Sequence, residues 1–208
     1  MPGLILFGLL IMLPILLTIV YSFFKISFLT NQFDYVGFKN FLKLLHKKDF
    51  YNSLQIVLTL TIIAVIFSNL IGIIFAKLFN KNNKIFIVLR VLIFTPFILS
   101  PIVVGYTFSS ILTDKGILNQ FLNFFSITHD ISWLGDSKYA LISISIALCW
   151  QLVAFCTVIY LACLKNIPSE LEDAVNIDGA NNIQKFRYLD WPLLAPALTI
   201  NTVVILIS

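Results

Sequence analysis

The sequence predicts an all-α, polytopic integral membrane protein. Of its 208 residues 59% are hydrophobic and only 12% charged, and charged residues are missing altogether from five long stretches. An ordinary soluble domain holds about 45–50% apolar and about 25% charged residues. It also presents its apolar residues as stripes on helices, whereas these stretches are apolar all round, which fits lipid as the solvent. Each stretch is expected to be helical. A lone segment in hydrocarbon must satisfy its own amides, and none shows the roughly ten-residue alternation of a barrel strand.

About 20 apolar residues at 1.5 Å rise are needed to cross about 30 Å of hydrocarbon. Four charge-free runs meet that length: the N-terminus to Phe24, Phe50 to Ala76, Val91 to Thr113 and Tyr139 to Leu164. A fifth, Trp191 to Ser208, ends without a polar flank. The spans are therefore placed at about 2–24, 53–76, 91–112, 140–164 and 193–208, four complete and the last partial, and the expectation is a chain truncated inside a span. Pro14, Pro96 and Pro101 predict kinks in the first and third. The first run lacks a basic leader and a small-residue cleavage site and is too long for a signal-peptide core, so it is read as a span.

Between the spans the charges are sparse. The net charge of +4 is scattered over short loops and offers no basic face for nucleic acid. Positive-inside counting is a tie. Lys25, Lys39, Lys43, Lys47, Lys48, Lys115 and Lys138 lie in loops one and three, against Lys77, Lys81, Lys84, Arg90, Lys165, Lys185 and Arg187 in loops two and four. Density favours loop two as cytoplasmic, because its four cations flank one short turn and no acid dilutes them. Loop one carries Phe38, Phe41, Leu42 and Leu45 on one helical face and lysines on another, an interfacial amphipathic helix. Loop three, Asp114 to Lys138, reads as a polar lid with Trp133 at the membrane interface.

Loop four, about 165–192, is the most informative. Ser169 with Glu172 has capping-box spacing, and Glu170, Glu172 and Asp173 suit the positive end of a helix starting there. Leu171, Ala174 and Val175 form an apolar stripe, Gly179 suits a left-handed turn, and Ile183 and Phe186 begin a second stripe before Pro192 opens the next span. Two short amphipathic helices joined by a glycine turn fit another protein's groove, and a surface helix without a partner is the plainer alternative.

Polar residues within spans are costly in lipid: Gln55, Asn69, Gln151 and Asn201 either line a path or bond helix to helix. Cys149, Cys156 and Cys163 recur every seven residues, about 10 Å apart along a helix, too far for a disulfide or a shared ion and better suited to close helix packing. His46 and His129 show no ligand spacing, so no metal site is expected. No G-x-x-x-x-G-K-[ST] phosphate loop is present, and no nucleophile–base constellation, so no catalytic residue and no bound cofactor are expected. The spans hold no Asp, Glu, Lys, Arg or His, which counts against a proton-coupled secondary transporter or channel, the alternative function.

Loop four resembles the signature of the inner-membrane permease subunits of binding-protein-dependent ATP-binding-cassette importers, a Glu-Ala-Ala, a later glycine and a proline further on. Here these are Glu172-Asp173-Ala174, Asp178-Gly179-Ala180 and Trp191-Pro192, with Asp173 and Trp191 departing from the pattern. Tyr35-Val36-Gly37-Phe38-Lys39-Asn40-Phe41, Gly116-Ile117-Leu118-Asn119, Trp133-Leu134 and Ile167-Pro168-Ser169-Glu170-Leu171 resemble the carbohydrate-uptake branch that includes maltose and glycerol-phosphate permeases.

The resemblance implies a type I importer bundle in the cytoplasmic membrane, with loops two and four inside and loops one and three outside. Such permeases usually have six core spans. It implies an ATPase-coupling role for Ser169, Glu172, Asp173, Ala174, Asp178, Gly179, Ala180 and Pro192, and Asn69, Gln151 and Asn201 are candidates for the substrate pathway. The implied partners are an ATPase dimer that binds the ATP, a second permease, an extracytoplasmic solute-binding protein and membrane lipid. The implied solute is a sugar, and a permease for another solute is the alternative within the family.

Overall fold

The computed structural model describes residues 2–27, 32–80, 83–125 and 131–208. The chain divides into two compact units, 1–57 and 58–208, each described by itself.

In the first unit, α1 (Pro2–Tyr21) is one continuous helix, apolar throughout and with no buried residue. Pro14 does not kink it sharply. The helix widens into a π turn over Gly8–Met12, and Leu13 N–H bonds to Gly8 O, five residues back, which absorbs the donor and space that proline removes. β1 (Phe24–Ser27) pairs antiparallel with β2 (Gln32–Tyr35), a short hairpin absent from the all-helical expectation. It is followed by α2 (Lys39–Leu45), the amphipathic helix expected in loop one. Asn40 of the Tyr35–Phe41 segment explains part of that motif, since its Nδ2 donates to Ser22 O (2.9 Å) and Phe24 O (3.0 Å). Phe23, Phe38 and Phe41 stack around this point with centroids 5.4–5.9 Å apart.

The second unit holds the core. It comprises α3 (Lys48–Phe79) from Leu58 onward, α4 (Lys84–Ile98), α5 (Pro101–Leu112), α6 (Ile117–Phe124), α7 (Ser137–Lys165), α8 (Ser169–Ile177) and α9 (Asn182–Ile207). Among the described residues four helices, α1, α3, α7 and α9, are long and apolar enough to cross a membrane. Where one kinked third span was expected over about 91–112, the structure has two helices, with α5 and its continuation bent from α4 by 100°. Pro96 stays inside α4, and the break falls at Leu99–Ser100, because Pro101 disfavours helix at Ser100 and cannot donate back. Ser100 caps the new helix, with its Oγ accepting from Val103 N–H.

Small residues set the helix crossings. Ala64, Ala76, Cys156 and Ala197 are buried in one cluster with Ile73, Tyr160, Leu161, Leu164, Leu194 and Ile205. A Cβ built at Gly72 would lie 2.7 Å from Cys156 Cβ and 3.3 Å from the backbone at Cys156–Thr157, so α3 and α7 approach to backbone contact there. Small-residue packing is thus what the structure shows for Cys156, and all three cysteines are free thiols.

Candidate functional site

Loop four folds as two helical segments joined by a glycine turn. α8 begins at Ser169 with Pro168 as its cap residue and no side-chain cap, so the expected Ser169–Glu172 capping box does not form. Pro168 takes the extended cap conformation and moves Ser169 one position inside the helix, where its hydroxyl no longer reaches the free amides. The capping box sits instead at Asn181 and Gln184. Asn181 Oδ1 accepts from the amides of Ile183 (3.1 Å) and Gln184 (2.9 Å), and Gln184 Oε1 accepts from Asn181 N–H (2.8 Å).

Gly179 has φ +71°, the left-handed turn expected from the sequence. Its N–H bonds to Asn176 O (3.1 Å) and that of Ala180 to Val175 O (3.3 Å), the paired bonds of a Schellman end. Across this turn Lys185 Nζ lies 3.4 Å from Glu172 Oε2. None of the residues of α8 is buried. Asp173, Ala174 and Asp178 are exposed, as are Leu171, Ile177, Ile183 and Tyr188. The surface is therefore apolar with an acidic margin.

The second segment enters α9 through a π turn, Phe186–Asp190. Trp191 N–H bonds to Phe186 O five residues back, the same response to Pro192 that α1 makes to Pro14. Pro192 therefore widens a continuous helix that starts at Asn182, and the apolar run placed at 193–208 forms its later part. On this wide turn Asp190, 4% exposed, meets Lys77 of α3 at 2.9 Å, and the Lys77 ammonium lies 4.2 Å from the Phe186 ring centroid. Arg90 of α4 donates through Nε to Phe79 O (2.8 Å), and through Nη2 as well, capping the end of α3. Loop two and the base of loop four thus lie on the same side of the unit, and two of the clustered cations make internal contacts.

The three polar residues proposed for a pathway separate. Asn69 and Asn201 come together around Tyr160 in the α3–α7–α9 core. Tyr160 O–H donates to Asn69 Oδ1 (2.6 Å), and Asn69 Nδ2 donates to Val65 O (2.8 Å). Asn201 is fully buried beside the Tyr160 hydroxyl, and neither its amide atoms nor Ser68 Oγ finds a hydrogen-bond partner among the described residues. Gln151 lies elsewhere. Its Nε2 donates to Leu99 O (2.9 Å), satisfying a carbonyl freed by the break between α4 and α5. Ring contacts Phe97–Phe155 (5.3 Å) and Phe108–Trp150 (5.5 Å) hold both halves of that broken segment on α7. Gln55 has a bonding partner.

Sequence reading places Lys77 only among the loop-two cations and gives Asp190 and Tyr160 no role. A tyrosine deep in an apolar run, away from either interface, was the signal available for the last. Loop three is internally bonded in its described part. Asn119 Nδ2 donates to Asp114 O (3.0 Å) and Ile131 O (2.9 Å), and Asn119 Oδ1 accepts from Trp133 Nε1 (2.8 Å). That turns the Gly116–Asn119 and Trp133–Leu134 segments into two halves of one contact. His46 caps α2 through Nδ1 on Leu42 O (2.7 Å), and His129 lies outside the described residues. Among the described residues no three His, Cys, Asp or Glu side chains gather as a metal site.

The comparisons with known proteins agree with this geometry. The sequence profile of binding-protein-dependent transport system inner membrane components matches residues 68–208. The chain is similar to the probable starch degradation products transport system permease protein AmyD of Thermoanaerobacterium thermosulfurigenes, at 29% identity over 96% of this chain and 68% of that protein. It is also 29% identical to the trehalose/maltose transport system permease protein MalF of Thermococcus litoralis, over 91% of this chain and 64% of that one. The chain thus spans about two thirds of the length of these relatives. A chain in the crystal structure of a bacterial alginate ABC transporter, in complex with an alginate pentasaccharide-bound periplasmic protein, shares the fold. The TM-score is 0.84 at 20% identity, covering 99% of this chain and 68% of that one. With the profile matched across the polar core, the broken helix pair and loop four, the chain belongs to the family of binding-protein-dependent transport system inner membrane components, multi-pass membrane proteins that are not themselves enzymes.

Proposed function

We propose that the chain is the permease subunit of an ATP-binding-cassette importer, forming with a second permease part of the pathway for a sugar or oligosaccharide. Loop four docks in a groove of a separate ATPase subunit, which binds the ATP, and a solute-binding protein delivers the substrate from outside. The observation that carries this reading is the loop itself: a Schellman turn at Gly179 and a capping box at Asn181 rigidly present Leu171, Ile177 and Ile183 beside Glu170, Asp173 and Asp178, with no cover from the chain's own helices. A rigid, exposed, apolar helix pair is preorganised for a groove. The carbohydrate names of AmyD and MalF support the solute class.

The test is uptake by the complex reconstituted with its partners. Gly179→Pro fixes φ near −65° where the turn holds +71°, and removes the N–H that bonds Asn176 O. The variant is expected to insert normally, to lose ATPase binding and to lose uptake. Wild-type uptake in that variant would remove the coupling role from loop four.

A further inference from the structure

The ion pair at the base of loop four has a role that the docking surface alone does not supply. Asp190 is a carboxylate with 5% of its side chain exposed, at the foot of a membrane-spanning helix, and its cation, Lys77, comes from a different span. A buried carboxylate is costly in such a place unless paired. The π turn brings Phe186 and Asp190, four residues apart, to the same ammonium, one through its ring and one through its carboxylate. Lys77 stands in the last turn of α3, where the helix dipole also favours a cation. The docking helices are thereby fastened at their base to α3 as well as being continuous with α9. α3 carries Asn69 and α9 carries Asn201, the two amides that meet at Tyr160.

We propose that Lys77 and Asp190 are positioning residues for coupling, a clasp through which displacement of loop four is carried into α3 together with α9. The inference rests on the reading of loop four as the ATPase-docking element. Without the clasp, loop four drives α9 alone, and the two sides of the Asn69–Tyr160–Asn201 core no longer move together.

The experiment uses the complete complex in proteoliposomes, with binding protein loaded with a transported sugar. It compares Lys77→Met, Asp190→Asn and the exchange Lys77→Asp with Asp190→Lys, beside Gly179→Pro. The single variants are expected to retain the ATPase subunit and its hydrolysis, while sugar transported per ATP falls about tenfold, and the exchange is expected to restore most of the loss. A merely structural role would lower complex abundance and leave that ratio unchanged. An unchanged ratio in the single variants, with ATPase binding and uptake lost in Gly179→Pro, overturns the clasp and leaves the docking reading standing. Wild-type behaviour in Gly179→Pro overturns the docking reading itself. If Asp190→Asn does not reach the membrane, Lys77→Met with Asp190→Leu replaces it, because that pair leaves no buried charge unpaired. Uncoupling in that double variant supports the clasp, and a wild-type ratio refutes it.

Discussion

Gly72 is fixed by its neighbour, not by its own conformation. Its missing Cβ is what lets α3 lie against the backbone of α7 at Cys156 and Thr157. Gly72→Ala is expected to lower the thermal stability of the detergent-purified protein by about 1–3 kcal/mol. Cys156→Ala should not rescue it, because the obstructing atoms are Cβ and backbone, which alanine keeps. Restored melting behaviour in the double variant would show that the helices separate more easily than this contact implies. Asn119 is a second single-residue determinant, 2% exposed and bonded through both amide atoms. Asn119→Ala leaves the Ile131 and Asp114 carbonyls and the Trp133 indole unsatisfied, at about 1–3 kcal/mol for each group that stays buried. Faster proteolysis of loop three and a red-shifted tryptophan emission are the expected readouts, and an unchanged cleavage pattern would mean the loop is held elsewhere.

At the scale of elements, proline organises this chain through two different responses at three sites. Pro14 and Pro192 each widen a continuous helix into a π turn, while Pro101 ends one helix and begins another at 100°. The difference lies in the residues around each ring. At the third site a serine cap and the Gln151 amide satisfy the freed groups, so a full break is tolerated. A reader of the sequence sees all three prolines and can place a disturbance at each. Which disturbance results depends on partners such as Gln151, which lies 52 residues from Leu99. The same limit applies to capping. Ser169–Glu172 and Asn181–Gln184 both have the spacing of a capping box, and Pro168 decides that only the second forms.

Across the whole of the second unit, loop two and the base of loop four share a side, since Lys77 meets Asp190. With that side assigned to the cytoplasm, Asn176→Cys should resist membrane-impermeant maleimide in intact cells. Asn123→Cys should react, each in a background without Cys149, Cys156 and Cys163. Both positions are exposed. Labelling at position 176 from outside, with none at 123, reverses the orientation. The apolar groove of about 720 Å³ between α3, α4 and α7, lined by Phe67, Phe75 and Trp150, is also a property of the assembled unit that no single span reveals.

By itself the sequence determined the membrane as solvent, the helical class, the long apolar helices and the left-handed turn at Gly179. These depend on hydropathy over about 20 residues or on the backbone preference of one residue, both local quantities. Only the tertiary structure decided that Asn69 and Asn201 meet at Tyr160 while Gln151 serves a helix break, that Lys77 and Arg90 act as internal contacts, and that Asp190 is buried. Each of these pairs residues from different helices. The crossing geometry that brings them together is set by where small residues such as Gly72 and Ala197 let backbones approach, which no window along the chain contains.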